Sequence, residues 1–285
     1  MTAKILEFPP FAAWLKPIAE RGSHAFVRDA EKMILYYQEA VHSLPEKYGW
    51  RYASAESFLN QAGLGTSVSE ISSAYWTDQA RNAEAYAVLT SWRGMDLVGP
   101  AITNLNRGDV LAAAVLSRSC LELAATFVLN ANAIERIFRE TTVLGASNVV
   151  STELEELLVK MIWGTRLGGP EACLKQTNIL TVLQKVGRDP QAAEIPDRYS
   201  YLCELAHPNF IGNALYWSHV ERVNDDGSES RVMMRAHEEG IRDEVVQNIL
   251  WVLGWSAVCL RNALQLTQSG VGSILASVAN AKRAG

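Results

Sequence analysis

The sequence predicts an all-α fold, a helical bundle with one small β-hairpin inserted around residues 214–235. Three observations predict it. Long stretches repeat their apolar residues at helical spacing, and helix start and stop signals bracket most of them. Only ALYWSHVERV and SRVMMRA, on either side of NDDG (224–227), break that period with strand-favouring residues.

The elements follow in order. Residues 23–43 begin at a Ser and stop before Pro45, as a capped helix does. A second helical pattern runs from about Ser69 to Leu97. The turn NLNRGD (104–109) offers Asp109 as N-cap of a third helix, which reaches about Glu140. Short helices are expected over 152–163 and 170–186, and GTRLGGPE (164–171) reads as a turn rather than a phosphate-binding loop. Pro196 and Asp197 start another helix, and Pro208 forces its end at His207. The last long helix runs from about 242 to 267. The stretch AGLGTSVSE (62–70) marks the expected boundary between an N-terminal helical extension, 1–66, and the bundle domain, 67–285.

Composition narrows the function classes. The chain has 285 residues, 48% hydrophobic and 20% charged, which suits a globular protein with a sizeable core. A net charge of −5 gives no basic footprint for an extended nucleic-acid surface, although a local pocket stays open as a site. Cys120, Cys173, Cys203 and Cys259 lie far apart with no zinc-ligand spacing, so they are expected to be reduced core thiols of a cytoplasmic protein. No metal and no cofactor is expected. The N-terminus lacks the pattern of a secretory signal. The longest apolar run, ILWVLGWSAVCL (249–260), is too short to span a bilayer, so no membrane is expected as partner.

Two helices look central. The 242–267 helix confines Gln247, Gly254, Arg261 and Gln265 to one narrow stripe and is apolar elsewhere, Trp251 and Trp255 included. Such a helix is surrounded by its own bundle or by a partner subunit, which suits a homodimer. The helix VLAAAVLSRSCLELAATFVL (110–129) is similar, yet Arg118 and Glu122 sit one turn apart on a face shared with Leu111, Ala114, Ala125 and Leu129. They are either an ion pair that holds the bundle in register or the edge of a pocket.

A second set of misplaced polar residues lies in DRYSYLCELAHPNF (197–210). As a helix it puts Ser200, Cys203, Glu204 and His207 on one side and Tyr199, Leu202, Leu205 and Ala206 on the other. His207, at the helix end beside Glu204, is placed either for acid–base work or simply to cap its own helix. Side-by-side packing of the two helices would join Arg118, Glu122, Glu204 and His207 into one site for an anion or a phosphate.

SRSCLELAATF (117–127), followed about eighty residues later by YSYLCELAHPN (199–209), resembles a group of bacterial all-α proteins. In that group an Arg-x-x-x-Glu helix precedes a Tyr-x-x-Leu-x-x-x-x-His-Pro or His-Ser segment. It is similar to the HEPN class (higher eukaryotes and prokaryotes nucleotide-binding), helical bundles that often dimerise. The match covers about a tenth of the chain. The resemblance implies a binding or regulatory protein with a nucleotide or RNA ligand in a local pocket, in a stress or phage-defence setting. Its first alternative is a metal-independent ribonuclease. There His207 serves as acid and base, Arg118 stabilises the phosphate and Glu204 orients His207, while Glu122, Ser200, Tyr201 and Asn209 line the site. The second alternative is a purely structural subunit. The chain departs from the active members, in which four to six residues separate Arg from His: the corresponding Arg positions are Ser200, Tyr201 and Leu202. Arg198 is too far upstream, and the spacing from Arg231 to His237 falls in the hairpin and its exit.

Overall fold

The computed structural model describes residues 7–51, 67–141, 150–165, 175, 177–233 and 242–284. Its helices are α1 (Leu15–Glu20), α2 (Ala25–Arg28), α3 (Ala30–His42), α4 (Val68–Asn106), α5 (Val110–Glu140), α6 (Thr152–Trp163), α7 (Ile179–Val186), α8 (Ile195–Ala206), α9 (Phe210–Trp217) and α10 (Asp243–Ala284). Strands β1 (Ser218–Val223) and β2 (Glu229–Met233) pair antiparallel, with a bulge between Val220 and Arg222. The fold is all-α with one small hairpin.

The boundaries differ from the sequence pattern for local reasons. The 23–43 helix is two, broken at Asp29 (φ −104°, ψ 14°), and its cap is His24, whose Nδ1 accepts from the Phe26 N–H at 3.1 Å. Helix α4 runs through Pro100 to Asn106. Ala214–Trp217, counted with the hairpin by composition, end α9 instead. The hairpin tip turns at Gly227 (φ 81°), a left-handed conformation that glycine adopts without strain. The expected 170–186 helix is seen from Ile179; residues 166–174, with most of the glycine turn and Cys173, lie outside the described residues, as does His237.

The chain clusters into two compact units that are interleaved in sequence. The first comprises 1–42, 93–125 and 180–259; the second comprises 43–92, 126–179 and 260–285. Of the stretch 62–70, where a boundary was expected, 62–66 lie outside the described residues and Val68 opens α4. The first 42 residues cluster with 93–125 and 180–259 in the first unit.

In the first unit the N-terminal segment covers α10. The Gln247 side chain donates to the Ile18 carbonyl at 3.3 Å, and Arg21 pairs with Asp243 at 2.6 Å. A Cβ on Gly254 would run into the Phe26 carbonyl oxygen, so glycine there permits α2 to lie directly on α10. Trp251 is 1% exposed and packs against His24, Phe26 and Trp255. Gln247 and Gly254, the stripe read as polar, are thus part of an internal contact. The core of the second unit joins Tyr75, Trp76, Ile134, Phe138, Leu154 and Ile274. There Ser151 caps α6 through Leu154 N–H, and the Tyr75 hydroxyl ties to the Ser151 main chain.

Length does not exclude a membrane as the apolar run suggested. Helices α5 and α10 (to Ala281) are long and apolar enough to cross one, with mean hydropathy of 1.5 and 1.3 over their best windows. Half of the first window and 67% of the second are buried inside the protein, as in a core helix of a soluble protein.

Candidate functional site

Helices α5 and α8 do meet, but through residues other than those first paired. Arg118 Nε donates to Glu122 Oε1 at 3.2 Å, and Arg118 Nη2 donates to the Tyr199 hydroxyl at 3.3 Å. That hydroxyl in turn donates to Glu122 Oε1 at 2.9 Å, which closes a triangle. The guanidinium carbon also sits 5.3 Å from the centroid of the Tyr199 ring, within cation–π range. Cys203, one turn along α8, lies within electrostatic reach of the same guanidinium.

Local sequence explains the arrangement. In an isolated helix, an acid preceding a base by four residues is the better order, and Arg118–Glu122 has the reverse. The pair therefore gains its geometry from Tyr199, which comes from the buried side of α8 together with Leu202 and Leu205. The Arg118 and Glu122 side chains are 35% and 34% exposed, so they border solvent rather than a closed core. On the face read as an apolar stripe Ala114 and Ala125 are fully buried, but Leu111 is 40% exposed and the neighbouring Val115 44%, so its N-terminal part opens to solvent. Burial acts to lower the Arg118 pKa, but Cys203, Tyr199 and Glu122 outweigh it and hold it above its ordinary value. Burial, reinforced by the hydrogen bond to Glu122, pushes the Tyr199 hydroxyl up to about 12.

His207 does not join this group. It is the C-cap of α8, with extended backbone (φ −80°, ψ 135°), and is exposed. It lies eight residues beyond Tyr199, about 12 Å of helix rise. Glu204, expected to orient it, accepts instead from Asn209 Nδ2 at 2.9 Å. Asn209 Oδ1 accepts from Gly212 N–H at 2.7 Å and so caps the start of α9. A Cβ on Gly212 would lie 2.5 Å from the Glu204 and His207 carbonyl oxygens, so the two helices meet there backbone to backbone. The His-Pro-Asn run thus forms a helix–helix joint.

The remaining candidates are dispersed. Ser200 is exposed and bonds the Pro196 carbonyl. The Tyr201 hydroxyl is buried with no hydrogen-bond partner among the described residues, and burial, aided by the charge of Glu244, pushes it up to about 12. Arg198 lies over Trp251, 5.1 Å from the ring centroid, and pairs with Glu194. No cluster of three or more metal-ligating side chains occurs among the described residues. Sequence reasoning missed Tyr199. The available signal was a hydroxyl on the apolar side of α8, which needed a polar partner from a neighbouring helix.

Compared with known proteins, the chain matches no family model, no curated protein and no solved structure.

Proposed function

We propose that this chain is a non-catalytic, cytoplasmic binding or regulatory module of the HEPN-like kind, working in a bacterial stress or defence setting. The observation that supports this reading is the closure of Arg118 onto Glu122 and Tyr199. A guanidinium set for phosphate presents free, pre-aimed donors. Here two of its nitrogens are engaged, and a phosphate approaching it would also meet the Glu122 carboxylate. His207, exposed and without Glu204 behind it, lacks the orientation that acid–base work requires.

What the arrangement offers is a face. Leu111, Val115, Arg118 and Glu122 form one stripe of α5, with apolar and oppositely charged groups partly open to solvent. Paired antiparallel with a second copy, such a stripe would set each Arg118 beside the other's Glu122. The partner we infer is therefore a second copy of the chain.

The test has two arms. RNA of mixed sequence should survive incubation with the protein in EDTA; cleavage that disappears in a folded His207→Ala variant would replace this reading by the ribonuclease. In sedimentation the wild type should run as a dimer and Val115→Glu as a monomer. A monomeric wild type would remove the self-contact.

A further inference from the structure

The first unit contains a cavity of about 280 Å³, formed by the segment before α1, α3 and the C-terminal part of α4. That volume lies just below the ~300–1,000 Å³ typical of small-molecule sites, enough for a compact ligand. Its walls include Phe8, Phe11, Ile34 and Ile102, and its charged lining consists of Glu7 and Glu31.

The wall is built before any ligand arrives. Phe8 N–H donates to Gln38 Oε1 at 2.5 Å, and Phe11 N–H donates to Glu31 Oε1 at 2.7 Å. From α4, Asn106 accepts from Ala12 N–H at 2.8 Å and donates to the Pro10 carbonyl at 2.9 Å. Between these anchors Pro9 and Pro10 fix the backbone. The Phe8 ring stacks on the buried Tyr37, with centroids 6.5 Å apart.

The charge of this cavity is one-sided. No Lys, Arg or His lines it, and neither glutamate has an ion-pair partner among the described residues. Lys32, next to Glu31 in sequence, is directed to Asp29 at 3.8 Å. Apart from the carboxylates and Gln38, the lining is aliphatic, aromatic and proline.

The geometry points to a site for a small organic cation, an amine or quaternary ammonium with a compact apolar body, its charge held by Glu31 and Glu7 and its body by the two phenylalanines and Ile34. Glu31 keeps acceptor capacity after bonding Phe11, because an ionised carboxylate offers about four lone-pair sites. Aromatic rings beside it favour a cation further.

Phenethylamine and its neutral analogue 2-phenylethanol, titrated into the full chain and followed by NMR chemical shifts of Phe8–Trp14, test the site. Saturable amine binding is expected, roughly tenfold tighter than the alcohol, because the ion pair is charge-assisted. Glu31→Gln keeps the acceptor for Phe11 N–H, so the wall stands while the charge goes, and amine binding should fall by about tenfold. Where that variant melts early, Glu7→Gln, at an exposed position, takes its place with a smaller but measurable loss. Equal binding of amine and alcohol, unchanged amine binding in the folded glutamine variants, or no saturation would each overturn the assignment.

Discussion

Tyr199 and Tyr201 stand two residues apart on α8 and lead to opposite expectations. The Tyr199 hydroxyl joins Arg118 to Glu122, whereas that of Tyr201 is buried with no partner among the described residues. Tyr199→Phe should therefore cost about 1–2 kcal/mol, and Tyr201→Phe should be neutral or stabilise by up to about 1 kcal/mol. Urea unfolding midpoints check both, and equal losses would refute the triangle. Both hydroxyls are pushed up to about 12 from an ordinary 10.0, chiefly by burial. Because the folded values are the higher ones, neither group changes stability with pH below about 10, and both take stability away as pH climbs towards 12. Tyrosinate absorbance should accordingly rise together with the loss of near-UV circular dichroism. The sequence made the Arg118–Glu122 spacing legible because helical neighbours depend on spacing alone. It could not show Tyr199, since that contact depends on which helices pack, and the polar pattern drew attention to Tyr201 and His207 instead.

The joint between α8 and α9 shows what a short motif does as an element boundary. Pro208 made the end of α8 legible, because it disfavours helical backbone at the preceding residue. The Asn209 cap was equally local, an Asn opening the apolar run FIGNALYW, but the composition of ALYW suited a strand as well as a helix. Asn209→Ala should lower stability by about 1 kcal/mol, the usual cost of a lost cap. Gly212→Ala should cost more, about 2 kcal/mol or above, because the new methyl meets two carbonyl oxygens at 2.5 Å and backbone cannot yield cheaply. His207→Ala, at an exposed position, should stay within about 0.5 kcal/mol. Thermal melts of the three variants would order them Gly212, Asn209, His207. A large loss at His207 would mean that the imidazole is held by the fold after all.

At the scale of the molecule, helix content was legible because periodicity is local, whereas the role of the first 42 residues was not. The stretch AGLGTSVSE (62–70) gave everything before it the look of an appendage. Yet Leu15, Ile18, Val27, Ile34 and Tyr37 are all nearly inaccessible to solvent. Burying five such side chains contributes on the order of 10 kcal/mol as an upper estimate, as much as the whole net stability of an ordinary domain. The same segment lies against Trp251, Gly254 and Gln247 of α10, a helix whose sequence is apolar nearly all round. A chain beginning at Ser43 should therefore fail to close its first unit and leave that part of α10 uncovered. It should bind a hydrophobic dye and lose the cooperative melt, with trypsin cutting first within 93–125 and 180–259. Survival of a cooperative, dye-silent fold after this truncation would make the first 42 residues a true extension, and the covering of α10 would then have to come from another source.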